Sequence, residues 1–365
     1  MVRTGRKIAA FVVTALALVA LFFVAVNTGS LQVTPEQLLS GLFVEYDDTV
    51  ATIYDLRFPR IFIAMVGGAA LAVSGTLLQA VIRNPLADPG IIGVSSGASL
   101  AAVLVTAFVP TLYYFTPLFA FAGGMIAFCL VYSLSWRGGL SPLRVILVGV
   151  AVSAMFSGIS SAFSSGTGGT LSGVASIVDA NITMKTWSDL QTLAGYAAVG
   201  LVIALLVTKR CDLLSLEDKT ARGLGLDVNR NRLFISAVAV LLASISTAVI
   251  GPIGFLGLIV PHIARLLVGT SHKWLVPYTM LLGAFCLLLA DTIGRTVAAP
   301  YEISAAVIMS VVGGPAFILL LRKARGTSGE YCERRDGGGR RHANRDDVPR
   351  RCGERGRGPS RCDGP

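Results

Sequence analysis

Arg57–Leu100 reads RFPRIFIAMVGGAALAVSGTLLQAVIRNPLADPGIIGVSSGASL, and this stretch decides the fold. Ile61 to Ile82 is apolar and rich in small residues; about twenty such residues, rising 1.5 Å each, span a bilayer core. Gly67, Gly68, Ala69, Ala70, Ala72, Ser74 and Gly75 suit close helix contact, because helices in lipid associate by packing rather than by expelling water. Asn84-Pro85-Leu86-Ala87-Asp88-Pro89-Gly90 then stops the helix: proline lacks the donor a helix needs and restricts the residue before it. A second small-residue run, Gly93 to Val105, starts at once. The turn between the two runs is therefore expected to be a tight hairpin at one membrane face, with Asp88 interfacial.

The rest of the chain shares this character. Of its 365 residues, 53% are hydrophobic and 14% charged, against about 25% charged in a soluble domain. An all-α polytopic membrane protein follows, with about ten transmembrane helices near residues 8–27, 61–82, 92–109, 117–135, 143–163, 191–208, 233–250, 254–270, 275–293 and 303–321. Arg3, Arg6 and Lys7 precede the first apolar run, which is longer than a signal-peptide core and lacks a small-x-small cleavage site; it reads as an uncleaved span. Thr28–Phe58 reads as a polar loop, with Thr34-Pro35-Glu36 opening a short amphipathic helix.

The formal net charge of +10 does not indicate nucleic acid as a partner, since 11 of the 31 Lys and Arg lie beyond Lys323 and most others flank apolar spans. No basic stripe with interleaved aromatics appears. Cys129, Cys211 and Cys286 read as small buried hydrophobes and the other three of the six cysteines lie in the tail. No CxxC spacing, metal site or cofactor motif is present. Residues 324–365 have almost no aliphatic side chains and cannot bury a core. They read as a disordered basic tail to a 1–323 transmembrane domain, with translation out of the natural frame as a second reading.

Loop charge sets the topology. With the N-terminus inside, the inner loops hold Arg83, Arg137, Arg144, Lys209, Arg210, Lys219, Arg222, Arg230, Arg232, Lys273, Arg322 and Lys323; the outer ones hold only Arg57, Arg60, Lys185 and Arg295. Both termini are then expected in the cytoplasm.

RFPR, GAALAVSGTLLQ and RNPLADPGIIGVSSGAS, followed in order by GPIGFLGLIVPHIARLLVG at 251–269 and ADTIGR at 290–295, resemble the permease subunits of ATP-binding-cassette importers for iron-siderophore complexes, heme and cobalamin (the FecCD type). The resemblance covers roughly residues 8–323. It implies a type II importer permease fold in the cytoplasmic membrane and a homodimer, or a heterodimer with a similar permease. It also implies two cytoplasmic ATPase subunits, an extracytoplasmic substrate-binding protein and surrounding membrane lipid. The ligand expected from the family's commonest substrates is a ferric siderophore, with heme or cobalamin as alternatives. Weakly polar residues Ser153, Met155, Ser157, Met309 and Ser310 on the fifth and tenth spans suit a wide pathway that does not hold its cargo tightly.

Resemblance also assigns roles. Arg57, Arg60 and Arg295 match a docking surface for acidic side chains of the binding protein; snorkelling at the headgroups is the plainer reading. Asn84, Leu86, Ser141 and Pro142 lie at two inner turns that would close the pathway toward the cytoplasm, although Pro142 also suits any helix's first turn. Leu216, Glu217, Asp218, Ala221, Arg222, Leu224 and Gly225 match a coupling helix seated on the ATPase, here with Leu-Glu-Asp for the family's Leu-Gly-Glu; a helix lying on the membrane is the alternative. Gly251, Pro252 and Gly254 are expected to turn the chain outside. Pro261 frees a carbonyl one turn earlier, expected to bond His262, with Arg265 reaching the inner interface. Asp291 and Arg295, four apart, can pair. The 164–190 loop departs from the family pattern, and only Trp187-Ser188-Asp189 fits it well.

Enzyme chemistry is not expected. The chain has no GxxxxGK[ST] phosphate loop and no nucleophile–base set, so ATP hydrolysis falls to a partner. An ion-coupled secondary transporter would need an acidic coupling site and broken helices at mid-depth, and a structural or sensing protein finds no motif here.

Overall fold

A computed structural model describes residues 3–28, 33–34, 36–37, 40–41, 47–135, 142–166, 180, 182–183, 185–297 and 301–318. Met1–Phe317 forms one compact unit; the second, Ile318–Pro365, lies outside the described residues except for Ile318, and so does the expected tail.

The helices are α1 (Thr4–Asn27), α2 (Asp48–Leu56), α3 (Phe58–Ile82), α4 (Val94–Phe108), α5 (Thr116–Ser135), α6 (Pro142–Gly166), α7 (Trp187–Leu206), α8 (Thr208–Leu214), α9 (Asp218–Gly223), α10 (Val228–Ile250), α11 (Leu256–Val268), α12 (His272–Val297) and α13 (Ala305–Ile318). Among the described residues, seven spans are long and apolar enough to cross a membrane, with α2 and α3 counted as one run, and α4, α11 and α13 are shorter apolar helices. Together they account for all ten expected spans. α2 and α8 are not among the expected elements; α2 is capped by Asp47, whose carboxylate accepts from the Thr49 and Val50 N–H groups.

The bundle is built around α3, whose most apolar stretch is 83% buried against 17% for α1. It touches α12, α10, α7 and α11. Its small residues explain the closeness: a Cβ at Gly68 would collide with the Gly283 carbonyl of α12, and one at Gly75 with the Gly257 carbonyl of α11. Ser74 Oγ donates to Ala239 O of α10 at 2.6 Å. Such short polar links hold where no water competes.

Two turns differ from expectation. Residues 83–93 do not form a surface hairpin, because Asn84, Ala87, Asp88 and Ile92 are all buried. The segment runs from the C-terminal end of α3 to Gly93 (φ +90°), beside Gly149 and Ser153 of α6. Asp88 Oδ1 accepts from the Gly90 and Ile91 N–H groups at 2.8 and 3.2 Å, which satisfies two donors of the buried turn. Gly251–Phe255 likewise does not stay outside. Gly251 (φ +79°) and Ile253 are buried, and α11 begins against Gly75, past the middle of α3. Non-helical backbone at membrane depth is tolerated because protein encloses it. Cys129 also departs from its reading: it is exposed on α5, whereas Cys211 is buried.

Candidate functional site

At the end of the bundle that loop charge predicts to face outside, called the outer end below, charged residues of α3, α12 and the segment before α13 come together. Arg60, in the first turn of α3, meets Asp291 of α12 through Nε (3.1 Å) and Nη2 (2.9 Å). Its Nη1 donates to Glu302 at 2.9 Å. Arg295, one turn beyond Asp291, pairs with it at 3.2 Å, as their spacing predicts, and donates to Ala25 O of α1. Arg57 donates to Val26 O. Arg60 and Arg295 are thus turned inward, with side chains 11% and 7% exposed, rather than standing free on the surface. A cavity of about 330 Å³ opens beside them, lined by Arg60, Thr183, Asp291, Glu302 and Ser304. Glu302 was not singled out in the sequence; it sits just before α13, with no periodic pattern to mark it.

At the opposite end, predicted by loop charge to be the inner one, Asp218 opens α9 and binds two arginines: Arg83 at 2.5 Å and Arg232 at 2.9 Å. Partial desolvation opposes its charge, but Arg232 and Arg83 outweigh that and hold the carboxyl below its ordinary value. Arg83 is the left-handed C-cap of α3 (φ 53°), and its Nε also donates to Leu214 O of α8 at 2.7 Å. Asp212 of α8 accepts from the His272 backbone N–H at 2.9 Å and meets its Nδ1 at 2.6 Å. Two short inner helices are thereby fastened to the ends of α3, α10 and α12. α9 ends as the glycine pattern predicts. Gly225 (φ +82°) donates to Arg222 O and Leu226 N donates to Ala221 O, the paired bonds of a Schellman cap.

The expected coupling residues divide. Leu216, Glu217, Arg222, Leu224 and Gly225 are exposed, but Ala221 is fully buried. Ala221 is therefore not available to a partner, because a six-residue helix pinned at Asp218 must turn one face to its own bundle. Of the expected gate, Asn84 is buried, with Oδ1 accepting from Leu86 N at 3.0 Å, and Leu86 is half-buried. Pro142 opens α6, and Ser141 lies outside the described residues.

Between the two ends, Gln79 gathers the polar groups that Pro261 and the buried turn leave over. The carbonyl freed by Pro261 belongs to Gly257, and Gln79 Nε2 takes it at 3.2 Å while also bonding Ala87 O at 3.1 Å. Arg265, expected at the interface, instead donates to Gln79 Oε1. Asp88, expected to be interfacial, is fully enclosed. Its Oδ1 is held by the Gly90 and Ile91 amides. The amide of Gly257 lies beside Oδ2 without completing a hydrogen bond. Of the expected pathway residues, Ser153 donates to Gly90 O at 3.2 Å, Ser157 to Ser96 at 3.3 Å, and Met309 is buried; Met155, Ser157 and Ser310 stand exposed.

The family model of the FecCD transport family matches residues 17–323. The chain belongs to the FecCD transport family. Among its relatives are proteins named as the probable heme-iron transport system permease protein IsdF of Staphylococcus aureus, strains MSSA476 and Newman. Each is 38% identical over 321 residues, which is 88% of this chain and 97% of the relative. A solved structure described as an inward-facing ABC transporter of metal-chelate type matches with a TM-score of 0.72 at 30% identity, over 85% of this chain and 97% of that one. PsaBC from Streptococcus pneumoniae, solved with a Fab, shares the fold alone at 14% identity and TM-score 0.52. This FecCD-family protein is accordingly a multi-pass ABC importer permease of the cell membrane, a transport component rather than an enzyme.

Proposed function

We propose that this permease admits an iron chelate to the cytoplasm, either heme or a ferric siderophore. The observation that carries the reading is the unbroken likeness, over 97% of their length, to relatives named for heme-iron transport. The siderophore alternative rests on the family resemblance of the paired sequence blocks. Deleting the gene and measuring radio-iron uptake from heme and from defined ferric siderophores separates them. Loss of heme iron alone selects heme, and loss of siderophore iron alone selects the siderophore. If neither is lost, the iron reading fails and cobalamin is the remaining family ligand.

In this reading the permease works as a two-fold pair, with itself or a similar chain, and both termini face the cytoplasm, as the inner-loop charge favours. The broad exposed apolar faces of α6 (Leu147, Val150, Met155) and α13 (Val307, Val311) support pairing there. Two ATPase subunits sit beneath, with Leu216, Arg222 and Leu224 as the exposed contacts on this chain. Because Asp218 ties α9 to Arg83, the residue before Asn84, a push on α9 reaches the turn that carries Asn84 and Leu86. The ligand arrives on an extracytoplasmic binding protein at the Arg57, Arg60 and Arg295 end, where charge complementarity steers encounter and fixes orientation.

A further inference from the structure

The outer cluster contains three guanidiniums, Arg57, Arg60 and Arg295, and two carboxylates, Asp291 and Glu302. The two carboxylates differ in kind. Asp291 is 2% exposed, lies between Arg60 and Arg295, and cannot leave without stranding both. Glu302 is 41% exposed at the mouth of the 330 Å³ cavity and holds only Nη1 of Arg60. Its backbone is fixed independently of that bond, because the next residue, Ile303, donates from N–H to Gly294 O at 3.0 Å, where a glycine leaves room for the chain. Thr183 Oγ1 donates to the same Glu302 oxygen, Oε2, at 2.6 Å. Nη2 of Arg295 is buried with no hydrogen-bond partner among the described residues, so the cluster keeps an unused donor as well as an excess of positive charge.

We propose that this cavity is a carboxylate receptor, that Glu302 is its resident occupant, and that an incoming acidic side chain of the extracytoplasmic binding protein docks by displacing Glu302 from Arg60. The inference rests on the docking role given to Arg60 under the proposed function and says how that role is regulated. An exchange of one carboxylate for another never leaves Nη1 of Arg60 without an acceptor in a site that water scarcely reaches, whereas a simple opening of the Glu302 pair would strand that donor while Asp291 kept only Nε and Nη2. It also keeps docking reversible: the resident group competes for Arg60 and weakens the complex, so the binding protein is released after delivery. With the partner docked, Glu302 turns toward solvent, to which its carboxylate is already half open.

The test uses the full transporter in lipid nanodiscs and the substrate-binding protein encoded with it, with dissociation constant and off-rate read by surface plasmon resonance. Glu302→Gln keeps the shape and removes the competing charge. It is expected to tighten the complex roughly fivefold, mainly through a slower off-rate, as removal of a half-exposed competing ion pair implies. Thr183→Ala, which loosens the resident carboxylate, should move affinity the same way by less. Arg60→Gln should weaken the complex whether or not Glu302 has been changed. Unchanged or weakened binding in Glu302→Gln, with Arg60→Gln still weakening it, overturns the exchange and leaves docking standing. Unchanged binding in Arg60→Gln overturns docking itself. An unshifted thermal unfolding midpoint for Glu302→Gln guards against a merely misfolded variant.

Discussion

The two ends of this permease use the same chemistry, one carboxylate shared by two arginines, in opposite settings. At the end expected to be outer, the Arg60 and Asp291 side chains are 11% and 2% exposed; at the end expected to be inner, Arg83 and Asp218 are 29% and 39% exposed. A buried pair has lost its hydration, so its members depend on one another for stability. A pair open to water is screened and exchangeable, and contributes little to folding. The outer cluster is thus part of the bundle's construction, while the inner one is a tether that positions short helices.

That contrast can be broken most severely at Asp291. Asp291→Asn should cost about 3–5 kcal/mol, because Arg60 and Arg295 are left with a buried uncompensated charge; a detergent-solubilised variant unfolding within a degree of the parent would refute this. Asp88 sharpens the comparison from a third environment, since it is buried with no arginine paired to it among the described residues. Asp88→Ala, which leaves the buried Gly90 and Ile91 amides without their acceptor, should cost about 1–3 kcal/mol, and an unfolding midpoint equal to the parent's would be the contrary result.

At the inner end, Asp218→Asn should cost only about 1 kcal/mol, yet ligand-stimulated hydrolysis by the assembled transporter should fall sharply. Because the Asp218 carboxyl is held below its ordinary value, its contribution persists above about pH 4 and is lost only as pH falls further. Full stimulation in the variant would mean that the tether does not transmit motion. The smallest effect on stability is expected at Leu224→Asp, within about 0.5 kcal/mol for an exposed site. Loss of ATPase co-purification there, with folding intact, is the expected outcome, and wild-type recovery of the ATPase would remove Leu224 from the contact.

Helix content and order were legible because apolar runs with polar or Pro/Gly interruptions are strong local signals. Asp189 three residues after Thr186 forms the capping box that starts α7 at Trp187, four residues before the hydropathy edge at 191. The Asp291–Arg295 pair was legible from helical spacing alone. Glu302 and Gln79 were not, because their partners lie 242 and 186 residues away in sequence. The buried turn at 83–93 and the inward run at 251–255 escaped for a related reason. Proline and glycine announce that a helix stops, but the depth at which the chain restarts depends on the glycines of other helices. Ala221 looked like a partner contact because a short amphipathic helix does not reveal which apolar face its own chain will cover.

The Gly75–Gly257 and Gly68–Gly283 contacts carry a consequence for how the protein can alternate between states. Where backbone meets backbone at carbonyl width, neighbouring helices interlock like teeth cut for a single register. A slip of α3 along α11 by one turn, about 5.4 Å, would bring Leu71 or Gln79 to the place where only a glycine fits. Ratcheting between α3, α11 and α12 is thereby forbidden, and the three move as one rigid block. If α9 couples to an ATPase as proposed, the stroke it delivers is then expected to tilt that block against its surroundings.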